Sequence, residues 1–417
     1  MNCFFKTMIM KHLYWMVAAV ALLSACAGGP GGNMKESAAP EYYDDLQYRD
    51  SVLLAEGLIH YGQDTGSRGF DDMHYVFVAD DSEKAAESER ALDEFKQKID
   101  GMSPEERAFM AYLFNDYADL ATMSEYVYKD RKTALPEGWT DMGEEDPELS
   151  EIIAKYSASG AIPTGLKCSL MAKGDRRALV FAGTDFPSEW SDISQLMNFV
   201  ADAYEDVDGA LNEGTSQVVL AGRLVDELLD KGYVSKDNLE FAGHSLGGRL
   251  ASEMAVRYGC PAVVFNAAGV SPATYERYEK AKTSAGEDWR GYIVDVTAAN
   301  DPLTCAQKYM SGSTDPFVSA AADALSVDNE TMDDIISLGL GLIGAAADEV
   351  TDGSKALSAV KDLSDRYGAV VGRLYERDYR ALGAMMPIRE NMGGHGIKEL
   401  AAALRARAGF CESTSTR

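Results

Sequence analysis

A chain of 417 residues, 46% hydrophobic and 25% charged, can bury a sizeable core, which excludes both a disordered and a membrane-filling protein. Its 67 acidic residues outweigh 39 basic ones, for a formal net charge of −28. That excess argues against nucleic acid as a partner and against electrostatic adsorption to anionic lipid.

Residues 1–25 read as an address. Lys6 and Lys11 form a positive n-region and Leu13 to Leu23 an apolar h-region, shorter than the roughly 20 residues a membrane span needs. Leu23-Ser24-Ala25-Cys26 closes the segment and resembles the lipobox of bacterial lipoproteins. The resemblance implies a diacylglyceryl group on Cys26 Sγ, cleavage before Cys26 and acylation of the new amino group. It thus implies membrane attachment through Cys26 and a place in the bacterial cell envelope. Residues 26–40, with Gly28-Gly29-Pro30-Gly31-Gly32, read as a tether. Beyond it stand Cys168, Cys260, Cys305 and Cys411, an even number that permits two disulfides in three connectivities. None has C-x-x-C or Cys/His ligand spacing, which argues against a zinc site; no metal and no cofactor are expected.

Residues 41–134 read as a helical, acidic N-terminal region. Leu53, Leu54 and Leu58 stand at helix spacing, and a Glu/Lys-rich run extends from Asp80 to Lys98. Ser103-Pro104-Glu105-Glu106 carries a helix start, followed by the stripe Met110, Leu113, Phe114, Tyr117 and Leu120. At Pro163 the pattern changes to strands. Leu166 to Ala172 and Arg177 to Phe181 suggest a hairpin around Lys173-Gly174-Asp175. Then come helix Val218 to Lys231, strand Leu239 to Ala242, helix Gly247 to Tyr258, and strands Ala262 to Phe265 and Tyr292 to Thr297. Leu382 to Ile388 reads as the last strand. Short apolar strands alternating with helices predict an α/β fold, a mostly parallel sheet covered on both faces.

Gly243-His244-Ser245-Leu246-Gly247 is a G-x-S-x-G. In a chain with 38 glycines the pattern alone decides little. Its setting decides more, because an apolar strand runs into it and a helix leaves it. Such a turn exposes the Ser245 hydroxyl and aims the Leu246 N–H at a developing oxyanion. A nucleophilic serine needs a base, and the chain order Ser, acid, His leaves one histidine. His12, His60, His74 and His244 precede Ser245, and His395, in Gly393-Gly394-His395-Gly396, follows it. Asp301, in Ala299-Asn300-Asp301-Pro302, stands just past a strand end, where α/β folds place functional side chains. Its rival Asp295 falls inside the strand.

Phe181-Ala182-Gly183-Thr184, the Gly243 to Gly248 segment, the Asp301-Pro302 turn and His395-Gly396 together resemble the class 3 lipase family, its bacterial Mbeg-like members most of all. The resemblance runs from about Ala121 to Leu400 and implies the α/β-hydrolase fold, with residues 135–417 as the lipase-like domain. It implies Thr184 as second oxyanion residue and matches Trp190 to a tryptophan of the lid region. Asp192 stands one residue earlier than the family's steadying aspartate, and Ala182 replaces the usual arginine. An insertion is expected at about 306–375, within which Ile335 to Ala347 carries no charge and reads as a buried helix or a lid.

The expected activity is a serine carboxylic-ester hydrolase acting on lipid, with phospholipid or lysophospholipid as first substrate class. A thioesterase or acyltransferase could use the same residues, and a non-catalytic envelope lipoprotein is the reading of a different kind. The sequence leaves the oligomeric state open.

Overall fold

The structure is a computed structural model that describes residues 53, 56–61, 81–128, 133–159, 162–163, 165–183, 216–270, 272–286, 289–299, 301, 304, 381–391 and 394–413. The leader with Cys26, the Gly-rich tether, Thr184, Trp190, Asp192, Cys305 and the uncharged run 335–347 lie outside these residues.

In chain order the elements are strand β1 (His60–Tyr61), helices α1 (Asp81–Asp100) and α2 (Pro104–Tyr126), strand β2 (Thr140–Asp141), and helices α3 (Met142–Glu145) and α4 (Pro147–Ser157). A small pair, β3 (Ala158–Ser159) and β4 (Ile162–Pro163), precedes the hairpin β5 (Cys168–Lys173) and β6 (Arg176–Phe181). Then follow α5 (Ser216–Asp230), β7 (Leu239–His244), α6 (Leu246–Tyr258), β8 (Ala262–Phe265) and α7 (Pro272–Ala285). The last are β9 (Ile293–Ala298), β10 (Ala384–Ile388) and α8 (Ile397–Ser413).

Eight strands form one mixed sheet in the order β1-β10-β9-β8-β7-β6-β5-β2. From β6 through β10 neighbours run parallel, while β5, β2 and β1 add antiparallel edges. Side-chain alternation divides the core between the two faces. In β6, Ala178 and Val180 join one apolar cluster with α1, α2 and α8, whereas Leu179 and Phe181 join another with α4, α5, α6 and α7. The architecture is therefore α/β, with helices on both faces.

Helix α2 begins as its sequence requires. Ser103 caps it, with Oγ accepting from Glu106 N–H at 3.2 Å while the Glu106 carboxylate accepts from Ser103 N–H at 2.7 Å. Such a cap contributes about 1 kcal/mol. The helix then buries far more than one stripe: Phe109, Met110, Leu113, Phe114, Tyr117, Ala118, Leu120 and Ala121 are all buried. It lies in one core with Val180, Phe265 and Val296 of the sheet and Leu400 and Leu404 of α8. Arg176, opening β6, joins Asp116 of α2 at 2.6 Å and Glu240 of β7 at 2.7 Å. Helix α2 thus supplies apolar cover to one face of the sheet.

Leu53 is helical, as its spacing predicts, but the helix does not run on through Leu58: Leu58 N–H closes on Leu53 O at 2.8 Å, Gly57 takes φ of 60°, and the chain turns into β1. That short strand pairs antiparallel with β10 and covers an edge. The cysteine pairing, which the sequence leaves open, includes neither Cys168 nor Cys260. Cys168 and Cys260 are free, buried thiols. Burial pushes the Cys168 thiol up to about 12 and the Cys260 thiol up to about 11, so neither has thiolate character at neutral pH.

Candidate active site

Strand β7 ends at His244 and helix α6 begins at Leu246, which leaves Ser245 alone in the turn. Its φ of 57° and ψ of −125° are a conformation that L-residues rarely adopt and that costs of order 1–3 kcal/mol. Hydrogen bonds hold it there. Ser245 N–H donates to Phe265 O at 3.0 Å, and Ser245 O accepts from Arg249 N–H at 3.2 Å and Ala268 N–H at 3.0 Å. The flanking glycines are a steric requirement. A Cβ on Gly243 would stand 2.3 Å from Gly247 O, and one on Gly247 would stand 2.3 Å from Phe181 O. Only with bare backbone at both positions can strand and helix meet this closely. The neighbours of Ser245 on both sides are buried, while Ser245 itself keeps partial exposure.

The sheet register decides what surrounds this turn. Gly243 pairs with Phe181, His244 with Phe265, Phe265 with Val296, and Ala298 with Ile388. The C-terminal ends of the parallel strands therefore form one edge. Asp301 follows β9 there, and His395 follows β10.

Asp301 and His395 meet. His395 Nδ1 lies 2.7 Å from Asp301 Oδ1, with side-chain exposures of 2% and 0%. A carboxylate oxygen accepts, so Nδ1 is the protonated nitrogen. The second oxygen, Oδ2, accepts from Thr304 N–H at 2.8 Å and from the Thr304 hydroxyl at 2.5 Å. The other imidazole nitrogen, His395 Nε2, is buried and has no hydrogen-bond partner among the described residues. The ring of His395 lies 4.6 Å from that of His244, the residue before Ser245.

Asp295 is fully buried within β9, as its place in the strand predicted. Its Oδ1 accepts from Ala267 N–H at 3.3 Å. Burial first, opposed by that hydrogen bond and reinforced by nearby Asp301, pushes its carboxyl well above the usual carboxylate range. It belongs to the strand packing behind the site rather than to the His395 pair. Leu246 is buried as the first residue of α6, where a main-chain N–H has no partner within its own helix. Thr184 follows directly on Gly183, the last described residue at the end of β6.

Three site-adjacent residues escaped the sequence reading. Thr304 stands three residues past Asp301, a spacing at which an aspartate commonly accepts from the backbone, so a local signal existed. Tyr128 carried no signal at all. His244 was visible only as the variable residue of G-x-S-x-G.

Residues 119–359, more than half of the chain, match the phospholipase-like family described as the Tle-like phospholipase domain. The chain belongs to this phospholipase-like family. Beyond the family match, it is 33% identical over 150 residues to the extracellular phospholipase A1 of Serratia liquefaciens. That stretch is 36% of this chain and 42% of the relative, so the chain spans less than half the length of the curated protein it matches. A solved structure, the extracellular lipase LipA of Serratia marcescens, aligns with 51% of this chain and 42% of its own at 14% identity. The TM-score of that alignment is 0.30.

Proposed function

We propose that this phospholipase-like protein is a serine carboxylic-ester hydrolase of the α/β-hydrolase type acting on lipid. Ser245 attacks the ester carbonyl and passes its proton to His395 Nε2. The leaving alcohol takes that proton, and water, deprotonated in turn by His395, hydrolyses the acyl-enzyme. Asp301 holds the imidazole in the tautomer that leaves Nε2 open, and Thr304 holds Asp301. The Leu246 N–H and residue Thr184 receive the oxyanion. The observation that carries this reading is the buried His395–Asp301 pair, with an unoccupied Nε2, on the sheet edge where the strained Ser245 turn stands.

Phospholipid or lysophospholipid is the proposed substrate class. It is supported by membership of a phospholipase-like family and by the name of the Serratia liquefaciens relative. The finer likeness to class 3 lipases is part of the same proposal, as is attachment through Cys26. An anchored enzyme would meet membrane lipid at high effective concentration. No helix among the described residues is long and apolar enough to cross a membrane, and the proposal assigns attachment to the lipid.

The test is reaction of the purified chain with a fluorophosphonate probe, followed by turnover of p-nitrophenyl esters and of phosphatidylcholine vesicles. Ser245→Ala and His395→Ala should each lower kcat by roughly 10⁴-fold or more and keep the circular dichroism spectrum. A wild-type protein that neither labels nor cleaves any ester would sink the hydrolase reading.

A further inference from the structure

One hydrogen-bonded chain beside the site joins parts of the protein that are far apart in sequence. Gly183 N–H, just past β6, donates to Tyr128 Oη at 2.9 Å. Tyr128 Oη lies 3.3 Å from His244 Nδ1, and His244 Nε2 lies 2.8 Å from the main-chain oxygen of His395. The partners are 55, 116 and 151 positions apart.

Donor and acceptor roles follow from the groups. The His395 carbonyl can only accept, so His244 Nε2 carries a proton. In a neutral ring Nδ1 is then the acceptor, and the Tyr128 hydroxyl donates to it while accepting from Gly183. Every proton in the chain points from Gly183 towards His244 and from His244 towards His395. The absence of a side chain at position 183 is what admits the hydroxyl: a Cβ on Gly183 would stand 2.5 Å from Tyr128 Oη and 3.1 Å from Ser245 Cβ.

The consequence lies in how His395 is held. Its side chain has one described anchor, the 2.7 Å bond from Nδ1 to Asp301. A ring held at one atom can still pivot about that bond and swing Nε2 away from the serine. His244 fixes the main chain of the same residue and is itself the neighbour of Ser245, so nucleophile and base are referred to one rigid group. Gly183 is referred to that group through Tyr128, and residue 184, the proposed oxyanion residue, follows it.

We propose that Tyr128 and His244 are positioning residues, which through this chain set His395 and the backbone at Gly183 against Ser245. The proposal rests on the assignment of Ser245 as nucleophile and His395 as base. Misplacement by about 1 Å in such an arrangement costs on the order of 10²-fold in rate. The rate should fall without a matching change in binding, because the chain touches the proposed catalytic groups.

The experiment compares Tyr128→Phe, His244→Leu and His244→Gln with wild type and Ser245→Ala in the full chain, with folding checked by circular dichroism. Tyr128→Phe and His244→Leu should lower kcat by about 10- to 100-fold with KM within about twofold. The glutamine amide nitrogen occupies the place of His244 Nε2 and can donate to the His395 carbonyl. His244→Gln should therefore recover roughly tenfold in kcat over His244→Leu, a rescue that packing alone would not produce. Equal kcat in the leucine and glutamine variants overturns the proposal, as does a change in KM alone. If His244→Leu does not fold, Tyr128→Phe carries the test, because it removes one hydroxyl and keeps the ring; wild-type kcat there also overturns the proposal. An inactive Ser245→Ala beside fully active Tyr128 and His244 variants would overturn only this proposal. Activity that survives Ser245→Ala would overturn the nucleophile assignment and this proposal with it.

Discussion

Replacing Asp301 by asparagine exchanges one carboxylate oxygen for an NH₂ group, and the structure determines how badly. The Asp301 carboxylate accepts on both sides: Oδ1 takes the His395 Nδ1 proton at 2.7 Å, and Oδ2 takes Thr304 N–H at 2.8 Å and the Thr304 hydroxyl at 2.5 Å. A threonine hydroxyl can rotate, but a main-chain N–H cannot. The amide in Asp301→Asn must therefore turn its oxygen to Thr304 and its NH₂ to His395. Two N–H donors would then face each other unless the imidazole proton moved to Nε2, where His395 could no longer act as base. The expected loss in kcat is about 10⁴-fold, some 5 kcal/mol of transition-state stabilisation, with little change in KM. Asp301→Ala imposes no tautomer, so the more conservative asparagine should be no more active than alanine. Steady-state turnover of a p-nitrophenyl ester by both variants, with thermal melts to show that each is folded, decides the matter. An asparagine variant within tenfold of wild type would refute the tautomer argument and with it the role of Asp301.

Asp295→Asn should keep ester turnover within about threefold of wild type, because that carboxyl lies in the strand packing and not on His395; a loss as large as that of Asp301→Asn would exchange the two roles. The same variant has a stability signature. The Asp295 carboxyl is raised in the folded state by burial, so its contribution is present below the unfolded value of about 4 and is lost as pH rises above it; the melting temperature of Asp295→Asn should gain on wild type between pH 4 and pH 7. Thr184→Val, which removes a hydroxyl and leaves the backbone N–H, should lower kcat up to about 10²-fold with KM nearly unchanged, and Thr184→Ser should retain most activity. Cys26→Ser should end incorporation of an alkynyl fatty acid, and labelling that persists would show a different attachment residue.

What the sequence displayed was local. The strand over Ala262 to Phe265, the capping box at Ser103 and the strand–turn–helix around Ser245 each depend on a few adjacent residues, and each stands where the pattern predicts. The pairing of Asp301 with His395 was legible for another reason: chain order and a shortage of histidines left few choices. What stayed hidden was long-range. Helix α2 reads as an acidic extension because its flanks are charged, yet it covers the sheet beside α8. Tyr128 reaches Gly183 from 55 positions away, a contact that leaves no periodicity behind. An even count of cysteines permits disulfides but does not bring the thiols together, and neither Cys168 nor Cys260 is paired with another cysteine.

The spacing between acid and base shows why sequence distance misleads here. Asp301 and His395 are 94 positions apart, and a separation of that size looks like a threat to their geometry. The sheet removes the threat. Strands β9 and β10 are parallel neighbours, with Val294 opposite Ala384 and Ala298 opposite Ile388, so their C-terminal ends are fixed side by side whatever joins them. Loop-closure entropy grows only logarithmically, about 0.6 kcal/mol for each doubling of length, which the burial of Val294, Val296, Ala384 and Met386 readily offsets. The segment between the strands is thus free to vary in length and sequence without moving Asp301 relative to His395.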